Sequence, residues 1–333
     1  MVTAVGPKSP GMLSIPYQIS TATMLMHGEA WNRLQGMTDA LANSGLVVVD
    51  KPQGMTSHDV VGRLRRIFHT RKVGHAGTLD PMATGVLVVG LERGTKFLAH
   101  MVASTKSYAA TIRLGMATHT DDAEGERTWG EPASELDMEQ VNKEVAALTG
   151  DIMQRPAAVS AIKIDGKRAH ERVREGEEVE IPARPVTVSR FDILAHRIEG
   201  KYLDLDVTVD CSSGTYIRSL ARDLGEALGV GGHLTALCRT EVGPFTLGDA
   251  RTLDELADAP ALSLSLDEAL ARSYPVLQVT EDEAKALAMG KWLEPRGLKG
   301  TYAAVDPDGH SIALIKEKGK RLATVFVARP STL

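Results

Sequence analysis

The sequence predicts an α+β protein of two domains. Its 333 residues fit two domains of about 100–200 residues each. Across residues 44–248, apolar segments with the alternation of strands are interspersed with segments that carry an apolar helical face. From residue 275 to residue 331 the pattern changes to short strands around a single helix, which predicts a small β-rich domain. Residues 249–274, between the two, are predicted to form a helical connector.

Residues 1–43 precede the first predicted element. They show no clear strand or helix period, so we expect a disordered N-terminal extension. Met24, Met26 and Met37 are each a candidate for the true start of the protein.

The larger domain is predicted to open with a buried strand at residues 46–49. Thr56 and Asp59 have the spacing of a capping box, and the helix that follows has apolar residues on one face and arginines on the other. A glycine-rich loop, GHAGTLDPMATG, then leads into an apolar strand at residues 86–89. The alternation of residues 106–114 predicts a half-buried strand.

Later segments repeat these patterns. Residues 137–149 are predicted to be helical, and residues 203–209 alternate as a strand does. A helix is predicted from about Thr215 to Gly229. Capping boxes predict two more helices, at Ser265/Glu268 and Thr280/Glu283. The predicted strands of the β-rich domain are residues 276–279, 302–305, 311–316 and 322–328.

Composition narrows the class of protein. Hydrophobic residues make up 43% and charged residues 24%, as in ordinary globular proteins. No apolar run reaches the roughly 18 residues that span a bilayer, and no secretory signal pattern opens the chain. The two cysteines, Cys211 and Cys238, form no CxxC motif, which fits a reducing compartment. We therefore expect a cytoplasmic protein without a membrane partner.

The charge is unevenly distributed. The net charge of −5 argues against a uniformly basic nucleic-acid binder, but residues 63–72 contain no acid and a second basic cluster lies at residues 163–174. Each cluster is either a solvated helix face, which charge alone favours, or a face that binds phosphates. The basic residues of the first cluster are Arg63, Arg65, Arg66, Arg71 and Lys72.

Familiar catalytic motifs are missing from the sequence. It has no GxxxxGK[ST], no HExxH, no HxE with PCxxC and no GxSxG, so nothing in it indicates a cofactor or a metal. A single carboxylate, Asp80, lies in the glycine-rich loop. The residue pattern favours Asp80 as a helix N-cap before Pro81. The alternative is an exposed carboxylate beside a ligand, which the glycines allow to approach closely.

Four other residues allow two interpretations each. Arg218 lies in the first turn of its predicted helix, where a cation opposes the macrodipole by about 0.3–1 kcal/mol. It therefore either meets an anion, such as a phosphate or Asp80, or extends over the surface. Tyr108 and Tyr216 are either core or rim residues, or surfaces on which a flipped base stacks. His75 is either a loop histidine bonded to backbone or an aromatic plane near a base.

Five segments, in order along the chain, resemble one family. They are VVVDKPQGMTSHDVV, GHAGTLDPMATGVL, KSYAATIRLG, SAIKIDGKRA and CSSGTYIRSLARDLG. Over about residues 46–245 the chain closely resembles the bacterial tRNA pseudouridine synthase B (TruB) family. The resemblance implies a pseudouridine synthase fold with a mixed, largely antiparallel sheet. It also implies a catalytic domain at residues 44–248 with a thumb at about residues 154–176, and a PUA-like RNA-binding domain at residues 275–331.

The resemblance further implies an activity. Members isomerise uridine 55 in the T-loop of tRNA to pseudouridine, using an aspartate and no cofactor or metal. The implied partner is tRNA, through its T-loop and acceptor arm, with no obligatory protein partner. Whether the aspartate attacks C1′ of the ribose, adds to C6 of the uracil or assists a glycal route stays open. A tRNA-binding folding helper, or action on another uridine, is the alternative function.

Particular residues match functional positions of the family. Asp80 matches the essential aspartate, Arg218 the arginine that pairs with it, and Tyr108 the tyrosine that packs against the target uracil. The remaining matches and predictions concern RNA binding. They are Tyr216 and Leu237 in the uridine pocket, His75 in the space left by the flipped nucleotide, and Arg71, Lys72 and Lys163 as contacts to phosphates.

Overall fold

The computed structural model describes residues 41–101, 104–157, 163–164, 167–168 and 181–333. Nearly all of the predicted N-terminal extension and most of the predicted thumb therefore lie outside the described residues. Residues 43–333 form one unit, which is built around two sheets.

The elements occur in the following order. The strands are β1 (Gly45–Lys51), β2 (Val73–Ala76), β3 (Thr84–Leu91), β4 (Lys106–Leu114), β5 (Ala117–Thr118), β6 (Arg127–Trp129), β7 (Gly150–Gln154), β8 (Lys163–Ile164), β9 (Lys167–Arg168), β10 (Arg184–Glu199), β11 (Tyr202–Cys211), β12 (Gly232–Val242), β13 (Phe245–Thr246), β14 (Leu264–Ser265), β15 (Val276–Gln278), β16 (Thr301–Val305), β17 (Ser311–Lys318) and β18 (Arg321–Val327). The helices are α1 (Ser57–Ile67), α2 (Gly94–Phe97), α3 (Met138–Ala147), α4 (Ile217–Ala227), α5 (Leu253–Asp258), α6 (Leu266–Ser273) and α7 (Glu281–Ala288), with 3₁₀ turns at Leu98–His100 and Leu247–Asp249.

The larger sheet contains ten of the described strands. Its order is β14-β1-β3-β12-β4-β11-β10-β7, with β2 paired to β3 and β13 paired to β12. Among its described strand pairs only β3 and β12 run parallel. Together with the helices, this confirms the predicted α+β class and the mixed, largely antiparallel sheet.

The centre of this sheet is where β12 lies between β3 and β4. Strand β3 is buried along almost its whole length, as expected for a strand covered on both faces, whereas β4 alternates between buried and half-buried or exposed positions. Gly85 allows the parallel contact, because a Cβ there would lie 2.2 Å from the carbonyl oxygen of Arg239. Helix α4 packs equally closely on the start of β12. A Cβ on Gly225 would lie 2.1 Å from the backbone nitrogen of Gly232.

The capping boxes predicted from sequence are present. Thr56 and Asp59 cap α1, Ser265 caps α6 together with Glu268, and Thr280 with its partner three residues on caps α7. Local chemistry therefore determines where these helices begin. The connector at residues 249–274 contains α5 and α6, but it also contributes β14, which pairs with β1.

The second sheet, in the order β15-β16-β17-β18, forms the predicted β-rich end of the chain. It is tied to the larger domain by specific contacts. Arg93 donates from Nε to the carbonyl oxygen of Ala328 over 2.8 Å and from Nη2 to that of Val327. At the end of the connector, directly before this sheet, the Tyr274 hydroxyl donates to the carbonyl oxygen of His100 over 2.7 Å. Among the described residues, no helix is both long enough and apolar enough to cross a bilayer.

Candidate active site

The segment that carries Asp80 is a turn between β2 and β3. We call residues 77–83 the Asp80 loop. The backbone N–H of Ala83 donates to the carbonyl oxygen of Asp80 over 3.1 Å, and Pro81 and Met82 are turn residues. No helix begins here, so the interpretation of Asp80 as an N-cap is wrong. Gly77 enters the loop with a φ of 77°, in the left-handed region that favours glycine.

Side-chain and backbone groups of residues 51–57 hold this loop. The buried Ser57 hydroxyl accepts from the Leu79 N–H over 2.9 Å and donates to the Leu79 carbonyl over 3.1 Å. The Pro81 carbonyl accepts from the Gly54 N–H over 2.7 Å and from Lys51 Nζ over 3.3 Å. Burial lowers the pKa of Lys51 to about 8, although the negative charge of Asp80 raises it. The carboxylate therefore lies on a loop that is fixed on both of its sides.

Arg218 meets Asp80 as one sequence interpretation predicted. Its Nε lies 2.9 Å from Asp80 Oδ2, and the Arg218 side chain is 5% exposed against 36% for Asp80. Arg218 Nη1 donates to the Thr120 carbonyl over 2.9 Å and lies 3.5 Å from Asp122 Oδ2. The arginine is thus held by buried acceptors, while Asp80 keeps one face open to a ligand.

Asp80 and Arg218 line a cavity of about 310 Å³. This volume is at the lower end of the range of roughly 300–1,000 Å³ that is common for small-molecule sites. Its walls come from the Asp80 loop, β4, β10, β12 and the segment that leads into α4. Among the side chains that line it are Asp80, Lys106, Tyr108, Arg184, Tyr216, Arg218, Leu237 and Arg239.

Tyr108 and Leu237 form the apolar part of the wall. Both are less than 10% exposed, and adjacent β4 and β12 carry them. Burial raises the pKa of Tyr108, and the nearby Arg239 guanidinium partly offsets this rise. The phenol is therefore protonated at neutral pH and can donate a proton or a hydrogen bond.

Tyr216, the half-buried N-cap residue of α4, also lines the cavity. Its side chain makes no cap. Instead, buried Gln154 uses both ends of its amide. Its Oε1 accepts from the Tyr216 N–H over 2.8 Å, and its Nε2 donates to the Tyr216 carbonyl over 3.1 Å. The Arg184 guanidinium lies 5.3 Å from the Tyr216 ring centroid, a cation–π distance.

The other predicted RNA-binding residues are found elsewhere. His75 lies on β2 and pairs with Val89 of β3, so its interpretation as a loop residue is wrong. It is half-buried, and burial lowers its pKa. Arg71 is exposed, and Lys72 Nζ lies 3.1 Å from Glu92 Oε2. The side chain of Lys163 lies outside the described part of the chain.

Sequence reasoning missed several residues of this region, and four of them are deeply buried. Lys51, Asp122, Gln154 and Arg239 are each at most 3% exposed and contact the Asp80 loop, Tyr216 or Arg218. A signal existed for Arg239, because it shares a strand face with buried Leu237 two positions earlier. The contacts of the other three residues join segments that are far apart in sequence, and no local pattern indicates them.

Comparison with known families covers most of the chain. Residues 65–217 match the family described as TruB family pseudouridylate synthase (N terminal domain). Residues 218–274 match the tRNA pseudouridylate synthase B C-terminal domain. Residues 274–329 match the family described as tRNA pseudouridine synthase II, C terminal.

Similar proteins agree with these matches. The chain is 84% identical over 297 residues to tRNA pseudouridine synthase B of Corynebacterium aurimucosum, which covers 89% of this chain and 100% of the relative. It is 75% identical over 297 residues to the protein of the same name from Corynebacterium efficiens, again 89% of this chain and 100% of the relative. A solved H/ACA RNP bound to a substrate RNA containing 2′-deoxyuridine has a chain similar to this one. The TM-score is 0.65 at 25% identity, covering 87% of this chain and 86% of that one. The chain therefore belongs to the tRNA pseudouridine synthase B family, as its five sequence segments suggested.

Proposed function

We propose that this chain converts uridine 55 in the T-loop of tRNA to pseudouridine, with Asp80 as the essential carboxylate and without a cofactor. The ion pair of Asp80 and Arg218 on the wall of the cavity carries the proposal. The name of the relatives supports tRNA as the substrate. The structural relative with a bound RNA that contains 2′-deoxyuridine supports a uridine-like nucleotide in the cavity.

The chemistry of the conversion fits a site with one carboxylate. Uridine and pseudouridine are isomers, so no atom is gained or lost and no oxidant is required. The N1–C1′ bond breaks, the C5–C1′ bond forms, and overall one proton leaves C5 while one is added at N1. Holding the detached uracil in a closed cavity keeps the rejoining step effectively unimolecular.

Asp80 and Arg218 are proposed to act as a unit beside the glycosidic bond. The partly exposed face of Asp80 is available to the ribose or the uracil. Arg218 fixes the carboxylate by a charge-assisted contact. Attack at C1′, addition to C6 and a glycal route each need a carboxylate in this position.

The apolar wall is proposed to hold the base. Tyr108 offers an aromatic face for the uracil and a protonated hydroxyl near it, and Leu237 on the adjacent strand excludes water from the same part of the wall. Tyr216, which also lines the cavity, would contact the bound nucleotide. Removing the base from the T-loop carries an unstacking cost of a few kcal/mol, which is lower in a loop than in a duplex.

Contacts outside the cavity are proposed to bind the rest of the RNA. His75 would fill the space left by the flipped nucleotide, while Arg71, Lys72 and Lys163 would contact phosphates. The thumb would close over the T-loop, and the β-rich domain would contact the acceptor arm as a PUA-like module.

The test is chemical mapping of pseudouridine in an unmodified tRNA transcript after incubation with the protein. We expect modification at uridine 55 by the wild type and none by Asp80→Asn, because the amide keeps the size of the side chain but removes its charge. Asp254→Asn is the matched control, since its carboxylate is 92% exposed on α5, and it should be fully active. If the wild type binds tRNA tightly but neither it nor a variant makes product, the folding helper is favoured. Product at another uridine would refute the proposed position.

A further inference from the structure

Arg239 is a second arginine of the cavity, and the proposed chemistry leaves it without a role. It lies on β12, lines the cavity and is 1% exposed. None of the described carboxylates forms an ion pair with it. Burying a charged group without a counter-charge is costly unless its donors are hydrogen-bonded. The hydrogen bonds of Arg239 therefore show which part of the structure it supports.

The guanidinium donates to three backbone carbonyls. Nε donates to Val86 of β3 over 2.8 Å, and Nη2 donates to Gly77 over 3.0 Å. Nη1 lies 3.5 Å from the Thr78 carbonyl oxygen. Gly77 and Thr78 are the first residues of the Asp80 loop. The planar fork of arginine therefore joins the sheet to this loop with fixed geometry.

This contact completes the support of the loop. Ser57, Lys51 and Gly54 bind residues 79 and 81 on either side of Asp80, while Arg239 binds residues 77 and 78 where the loop begins. Gly77 has a left-handed φ of 77°. A Cβ there would lie 3.4 Å from Arg239 Nη1. The first residue of the loop therefore packs directly against the guanidinium.

The same guanidinium also lies beside Tyr108. Arg239 is the strand partner of Tyr108 across β12 and β4, and its charge partly offsets the rise in the pKa of Tyr108 that burial causes. One side chain therefore connects the loop that carries Asp80 with the tyrosine that faces the base.

We propose that Arg239 is a positioning residue for the isomerisation, which fixes the Asp80 loop relative to Tyr108 and so sets the distance between the carboxylate and the bound uridine. This inference rests on the proposed function. Its consequence is specific: loss of the guanidinium slows the chemical step much more than it weakens tRNA binding.

The experiment compares variants of the full chain in single-turnover assays on tRNA transcript, with tRNA Kd and Tm measured in parallel. We expect Arg239→Met to reduce the single-turnover rate by about 100-fold, the loss that a misplacement of about 1 Å produces, with less than a threefold change in Kd. Arg239→Lys should recover part of the rate, because an ammonium can reach the carbonyls but lacks the fork.

Arg93→Met is the matched control, because Arg93 also donates from Nε and Nη2 to two backbone carbonyls, here in the β-rich domain. It should lower Tm and keep the wild-type rate. If Arg239→Met does not fold, Gly77→Ala takes its place, since it strains the same loop entry without removing a charge, and a similar loss of rate is expected. A wild-type rate in the folded variant would overturn the proposal. A wild type that makes no pseudouridine would instead refute the proposed function, and this inference with it.

Discussion

At the scale of single residues, the contacts of Arg218 explain its position in the first turn of α4. A cation there opposes the helix macrodipole by about 0.3–1 kcal/mol. Leaving a buried charge without its partner costs more, roughly 3–5 kcal/mol. Arg218 has Asp80, Asp122 and the Thr120 carbonyl within reach. The favourable contacts therefore outweigh the unfavourable helix position. A cation at such a position in the sequence indicates a nearby anion, which is why Arg218 could be singled out.

Asp121 predicts a pH-dependent stability. Its Oδ2 lies 3.1 Å from Arg222 Nη1. Burial raises its pKa from 3.8 to about 6, against the charges of Arg222 and Arg218, which lower it, while Asp223 adds to the rise. The folded state then holds the proton more tightly than the unfolded state does. The contribution of this group to the free energy of unfolding is therefore fully present below pH 3.8 and is lost as the pH rises through about 6.

We expect Asp121→Asn to remove this dependence, because the amide does not titrate and asparagine tolerates the local φ of 59°. Urea unfolding of both proteins between pH 4 and pH 7 is the measurement. The stability of the variant relative to the wild type should increase with pH, by roughly 1.4 kcal/mol for each pH unit by which the pKa of the folded state exceeds that of the unfolded state. Asp206→Asn, at a carboxylate 40% exposed, is the control. A stability difference that does not change with pH would contradict the prediction.

At the scale of elements, the start of helix α4 depends on a residue of strand β7. The first N–H groups of a helix have no partner within it, and Tyr216 supplies no side-chain cap. Gln154, at the end of β7, binds both backbone groups of Tyr216. It therefore links the base of the predicted thumb to the helix that carries Arg218.

We expect Gln154→Leu to lower the stability by about 1–3 kcal/mol, because it leaves the Tyr216 N–H without the partner that Gln154 supplies. It should also lower the single-turnover rate of pseudouridine formation, since Tyr216 and Arg218 lose their fixed position. Thermal unfolding and the rate assay measure the two effects. Asp137→Ala removes the side-chain cap of α3 and should cost about 1 kcal/mol without changing the rate. Equal rates in both variants would show that Gln154 serves stability alone.

At the scale of the whole molecule, an acidic chain is proposed to bind a polyanion. The net charge of −5 makes this binding depend on local basic segments, such as the one that ends α1 and continues to β2. Within it, Arg71 and Lys72 are both exposed, but Lys72 is already paired with Glu92. Arg71 is therefore expected to contribute more to phosphate binding than Lys72.

We expect tRNA affinity to fall steeply with salt, because each phosphate contact releases condensed counterions. Arg71→Gln should reduce the slope of log K against log salt by about 1, and Lys72→Gln should reduce it less. Filter binding at several salt concentrations measures the slope, and Lys143→Gln on α3 is the control. A flat affinity from low to physiological salt would refute the electrostatic proposal.

The sequence by itself determined what depends on near neighbours. The capping boxes at Thr56, Ser265 and Thr280 were predictable because their partners lie three residues away. The alternation of apolar and polar residues predicted β4, because successive side chains of a strand point to opposite faces and only one face is buried. The pairing of Asp80 with Arg218 was expected as one of two interpretations, since a cation in a first helical turn indicates an anion.

The tertiary structure alone decided what depends on distant partners. Asp80 had the local pattern of an N-cap, but the Pro81 carbonyl is bound by Gly54 and Lys51, and the loop turns instead of starting a helix. His75 lies in strand β2 because the backbone of this segment pairs with that of β3. Arg239 reaches Gly77 across 162 positions in sequence. Hydrogen bonds of buried groups have to be satisfied by whatever the fold brings near, and that information is not present in any short stretch of the chain.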